Sequence, residues 1–100
     1  MQTLFLLHEH LDADGLQQQH LLCLAMLNFD HDVQVVMTAP VLQKLMASDT
    51  LNQSWRALNL YGVDEFLLLN AEPPVACSWP VRTIDHAELE RLKSTAGFVS

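Results

Sequence analysis

Apolar residues arrive along this chain in short unbroken blocks, separated by stretches with helical spacing. Thr3 to Leu7 is the first block. A run of that length without alternation predicts a strand buried on both faces, as in a parallel sheet. Asp14, Gly15, Leu16 and Gln17 then read as a capping box, an acidic N-cap with a Gln three residues on. The helix they open carries Leu16, His20, Cys23, Leu24 and Leu27 at helical spacing, and Asp30 and His31 break the pattern. Val33 to Thr38 predicts a second strand, rich in β-branched residues. Pro40 suits the first turn of a second helix, where its missing N–H is not needed, and Val41, Leu42, Leu45 and Met46 would face inward. Ser48 to Thr50 offers another N-cap. Leu51, Trp55 and Leu58 follow at i, i+4 and i+7, and Gly62 is a natural C-cap.

Glu65 to Asn70 predicts a third strand around Phe66, Leu67, Leu68 and Leu69. Pro80 to Ile84 predicts a short fourth, with the proline at its start, where a donor is least needed. Asp85 and Glu88 form a second capping box, opening a helix with Leu89 and Leu92 inward. Gly97 ends it, and Phe98 to Ser100 begins a last strand. The order β-α-β-α-α-β-β-α-β predicts one α/β domain over residues 1–100, with right-handed crossovers and a mostly parallel sheet covered by helices on both faces, in three layers. Ligands in such folds gather at the carboxyl ends of the strands. Here that edge holds His8, Glu9, His10 and Asp12, then Thr38, then the segment from Asn70 to Ser78.

Composition narrows the function classes. The chain has 100 residues, half of them hydrophobic, enough for one core. So small a domain buries a modest share of its surface, and oligomerisation is a simple way to bury more. Twelve carboxylates against five Lys and Arg give a net charge of -7. Lys44, Arg56, Arg82, Arg91 and Lys93 do not cluster in sequence, so there is no basic footprint for phosphates. Direct nucleic-acid binding and anionic membrane surfaces are therefore not expected. No apolar run reaches the roughly 20 residues of a membrane span, and the start does not read as a signal peptide. Two cysteines make no disulfide framework, and the cytoplasm, where thiols stay reduced, is the expected compartment.

His8-Glu9-His10 is the most prominent polar cluster. Two alternating histidines can bind zinc if a third ligand arrives, and Asp12, Asp14 or His20 are the candidates. No spacing here matches a zinc signature, so no metal is assigned. The plainer readings are a polar loop that caps the first helix, or a pocket for a partner or small ligand. Cys77 follows Pro73 and Pro74 in an expected surface loop, where a thiol can carry a persulfide or attack a substrate if a nearby cation lowers its pKa. The competing reading tucks it under Trp79. Cys23 and Trp55 sit at core spacing, whereas Trp79 is open to either packing or a contact surface. There is no phosphate loop and no serine elbow, and no cofactor is expected.

The second half carries a resemblance. Leu58-Asn59-Leu60-Tyr61-Gly62-Val63-Asp64-Glu65 runs straight into the apolar strand Phe66 to Leu69. Pro80-Val81-Arg82-Thr83-Ile84-Asp85 leads into an acidic-start helix and the terminal Phe98-Val99. This arrangement resembles the DsrE/DsrF family of small sulfur-handling proteins, most of all its TusC (DsrF-like) branch. The resemblance implies a five-stranded, flavodoxin-like fold without a cofactor. It also implies a heteromeric complex of related subunits that passes persulfide sulfur toward 2-thiolation of wobble uridine in tRNA, or that serves sulfur oxidation. The family's persulfide cysteine lies near the end of the third strand of a sister subunit. Here that strand ends Leu68-Leu69-Asn70-Ala71, without a thiol. The departure favours an accessory subunit binding related subunits or copies of itself. The alternatives are a stand-alone sulfur carrier using Cys77, or a ligand or metal module at His8, Glu9 and His10.

Overall fold

The computed structural model describes residues 2–29, 32–72 and 79–99. Strands β1 (Gln2–Leu7) and β2 (Asp32–Met37) lie side by side in parallel, with Phe5 opposite Val35. β3 (Phe66–Leu69) adds in parallel to β2, and β4 (Val81–Ile84) to β3. A two-residue strand, β5 (Phe98–Val99), extends the sheet beyond β1, with Thr3 opposite Phe98. The order across the sheet is β4-β3-β2-β1-β5. The helices are α1 (Ala13–Asn28), α2 (Ala39–Ala47), α3 (Asp49–Ala57), which runs on into a 3-10 turn at Leu58–Tyr61, and α4 (His86–Thr95). The α/β domain with a parallel sheet is as the blocks of apolar residues predict.

The flavodoxin-like part of the expectation needs correction. A flavodoxin sheet runs 2-1-3-4-5, with the first strand between the second and third. Here the first two crossovers both step the chain one place in the same direction, so β2 stands between β1 and β3. The chain turns back only after β4, when α4 carries it across to β1 and β5.

The unbroken apolar runs have a simple geometric cause. Successive strand residues point to opposite faces of a sheet, and both faces here are covered. Phe5, Leu7, Val35, Met37, Phe66 and Leu68 face one side, where Leu16 and Cys23 of α1, Leu42 and Leu45 of α2 and Trp55 of α3 meet them. Leu4, Val36 and Leu67 face the other, where they form a smaller cluster with Ile84 of β4 and Leu89 of α4.

Helix starts follow the capping residues, with one shift. Asp12, not Asp14, is the N-cap of α1; its Oδ1 accepts from the Gly15 amide at 2.7 Å, and Asp14 falls in the first turn. Ser48 and Asp85 cap α3 and α4 through the amides of Leu51 and Glu88. Gly62 closes the 3-10 turn at φ +124°, a conformation that side-chain-bearing residues rarely adopt. Arg82 on edge strand β4 reaches Glu65 at 2.8 Å and Glu88 at 2.7 Å, and both hydrogen bonds raise its pKa above the usual arginine value. A charged side chain on an edge strand also discourages pairing with other strands.

Candidate binding site at the carboxyl edge of the sheet

Three strands end together where the chain must turn. β1 delivers His8, β2 delivers Thr38, and β3 delivers Asn70 to the carboxyl edge. Asn70 takes φ +53°, a left-handed conformation asparagine tolerates, and its amide donates to the Ile84 carbonyl at 2.8 Å. Two hollows open at the ends of β1 and β2. One, of about 260 Å³, is lined by Leu7, His8, Glu9, His10 and Thr38. The other, of about 200 Å³, lies on the α4 side; its apolar walls include Leu6, Val36, Leu69 and Leu89. His8, Thr38 and Lys93 supply its polar groups, and His8 and Thr38 are common to both hollows.

Thr38 is the N-cap of α2 but makes no side-chain cap bond, and its Oγ1 is shut away from solvent without a partner. A threonine at this position ordinarily turns its oxygen onto a first-turn amide. Pro40 occupies the first turn, so one of the usual amide donors there is missing. Lys44 of α2 holds the facing loop in place. Its Nζ donates to the backbone carbonyls of Glu9 and Leu11, the latter at 3.4 Å.

The sequence-expected residues separate into groups. His8, Glu9, His10 and Thr38 come together. Asp12 is engaged in capping α1, and its exposed carboxylate lines a different hollow, beside Leu16 and Leu51. Trp79 does not belong to this edge. It is buried among the core residues, its ring tilted against Phe66 with centroids 5.0 Å apart, and its Nε1 donates to Asn52 Oδ1 at 2.9 Å. Because β3 and β4 are parallel, the end of β3 and the start of β4 lie at opposite edges of the sheet. Asn70 and Trp79 therefore stand at opposite ends. Cys77 lies outside the described residues. Among the described residues, no three His, Cys, Asp or Glu groups converge as metal ligands.

His20, the third possible metal ligand, is instead a core residue. It is buried with its ring edge-on to Trp55 at 5.6 Å. Burial pushes its pKa below the usual histidine value, and a hydrogen bond to the Ser54 backbone offsets this only in part. Its Nδ1 has no partner. The unfolded chain therefore takes up this proton more readily than the folded one, and stability falls as pH drops below about 6.5. Thermal melts between pH 7 and pH 5 should show a shallower loss for His20→Gln than for the parent. An identical slope would remove His20 from the account. Cys23 is equally enclosed, and burial pushes its thiol up to about 12, so it is not a nucleophile at neutral pH.

Two site residues escaped the sequence reading. Lys44 acts through the phase of α2, which composition does not give. Lys93 lies four residues after Leu89, on the same helical face, and that spacing was the available signal. Among the described residues, no helix is long and apolar enough to cross a membrane. Set beside known proteins, the chain matches no protein-family model and no curated protein.

Proposed function

We propose that this chain is an accessory subunit of an intracellular sulfur-relay complex, as its resemblance to the DsrE/DsrF family implies, in that family's five-stranded, three-layer form. In this reading it performs no transfer step itself. Related subunits, or further copies of the chain, hold it while persulfide sulfur passes on a neighbour, toward wobble-uridine thiolation in tRNA or into sulfur oxidation.

The observation that carries this reading is an apolar surface with no charge on it. From Gly15 to Phe29 the chain has no Asp, Glu, Lys or Arg, although its net charge is -7. Leu21 is 57% exposed and Phe29 75%. Beside the last turn of α1 lies the 3-10 turn, where Leu60 is 86% and Tyr61 62% exposed. The two elements meet at Gly62, where an added Cβ would stand 3.5 Å from Leu27 Cδ2. A helix that is apolar around most of its circumference is ordinarily covered, and contiguous exposed apolar surface marks interaction sites. Further support comes from β3, which runs into Asn70 rather than a cysteine, and from the inertness of Cys23.

Light scattering on the purified chain should show self-association, and co-expression with related small subunits should yield a mixed oligomer. The double variant Phe29→Ser, Leu60→Ser should weaken both while leaving the melting temperature nearly unchanged, because exposed substitutions typically alter stability by within about 0.5 kcal/mol. A parent chain that remains monomeric and ignores related subunits would overturn the proposal.

A further inference from the structure

The hollow on the α4 side of the carboxyl edge has the chemistry of a small-ligand site that the partner reading does not use. Its walls are aliphatic: Leu6, Val36, Leu69 and Leu89. Lys93, Thr38 and His8 are the polar residues that line it. Thr38 Oγ1 lacks a protein partner but is shut away from solvent, so Lys93 is the group left to meet a ligand's charge. The start of α2 lies beside it, and helix amino ends favour negative charge. Among the described residues, Lys93 is paired with Glu90 alone, at 3.5 Å on an exposed helix face, which is a weak tie. Among the described residues, no carboxylate lines this hollow; Glu9 faces the neighbouring one.

We propose that this hollow binds a short-chain aliphatic carboxylate, with the alkyl chain between Leu69 and Leu89 and the carboxylate toward Lys93. Charge complementarity at the rim selects the anion, and the aliphatic walls select the tail. About 200 Å³ admits roughly half a dozen water-sized groups, which sets the chain at about four to six carbons. The site is also where open α/β sheets receive ligands, outside the carboxyl ends of the strands, next to the place where the strand order reverses. The proposal is independent of the partner surface on α1, which lies on the other face of the sheet.

Methyl NMR on the full chain tests it, with hexanoate, hexanamide and hexylammonium as probes. Hexanoate should give saturable shifts at the methyls of Leu6, Val36, Leu69 and Leu89, and none at Leu21 or Leu22. Hexanamide, which keeps the tail and loses the charge, should bind about tenfold more weakly, and hexylammonium more weakly still. Lys93→Gln should weaken hexanoate binding several-fold, whereas Glu90→Gln, which frees Lys93, should tighten it. Both positions are on the exposed side of α4, so either variant should fold as the parent does. Absence of saturation by hexanoate at 10 mM, equal binding of hexanoate and hexanamide, or shifts centred on α1 would each overturn the proposal.

Discussion

Trp55→Ala should destabilise the domain by about 3–5 kcal/mol, the usual range for deleting a fully buried large aromatic. Trp55 is completely enclosed; with Leu51 it joins α3 to the sheet cluster, and its ring meets His20 of α1. Its removal takes away the edge contact with His20 and opens a void that Leu16, Leu42 and Leu51 cannot fill without moving their helices. Domains of this size have only about 5–15 kcal/mol to lose. The urea midpoint, followed by far-ultraviolet circular dichroism, should therefore fall by at least about a fifth. Trp55→Phe provides the contrast. Trp55 Nε1 is buried with no partner, so phenylalanine keeps much of the apolar contact and removes an unsatisfied donor. It should lose far less than alanine. Equal losses from the two substitutions would mean that packing at this site is not what holds α3.

The second large effect lies on the opposite face. Leu89→Ala should remove about 2–5 kcal/mol of local stability, toward the lower end because Leu89 is not wholly enclosed. Among the described residues, three helices cover the Phe5 face, whereas the Leu4 face is covered by α4, through Leu89 with Leu92 and Ala96 beside it. The loss should therefore be uneven. Amide exchange over His86–Thr95 should accelerate strongly, while the core amides of α1 and β2 keep most of their protection. Uniform acceleration across the chain would show instead that the two faces unfold as one unit.

The strands were the most legible part of the chain because burial on both faces leaves a continuous apolar run, which α/β proteins produce far more often than surface strands do. The N-cap of α1 was placed two residues late. Asp12 and Asp14 both precede a helical pattern at acceptable spacing, and only the Gly15 amide distinguishes them. Leu58 was rightly taken as an inward residue at i+7 from Leu51, yet it belongs to the 3-10 turn rather than to α3. The flavodoxin-like order was implied by the family resemblance, and nothing in the periodicity could have corrected it. Helical and strand periodicity give the sequence of elements but not the direction each crossover steps. At the site, His8 and Thr38 were found because strand ends can be read. Lys44 and Lys93 were not, because their roles depend on how helices are rotated against the sheet. For Trp79 the sequence leaves packing and a contact surface equally open, and only the structure shows it packed against Phe66.

The pairing of β5 with β1 has a consequence in time. Thr3 meets Phe98, so the outer side of β1 is covered by residues made about 95 positions later. Closing so long a loop carries an entropic penalty, and contacts between residues distant in sequence slow folding. At about 5–20 residues per second, translation leaves the β1 edge uncovered for roughly 5–20 s after it is made. Throughout that interval an apolar strand offers unpaired backbone groups to any neighbouring chain. For this domain, the period of greatest exposure to misassembly is set by the speed of its synthesis and not by the stability it finally reaches.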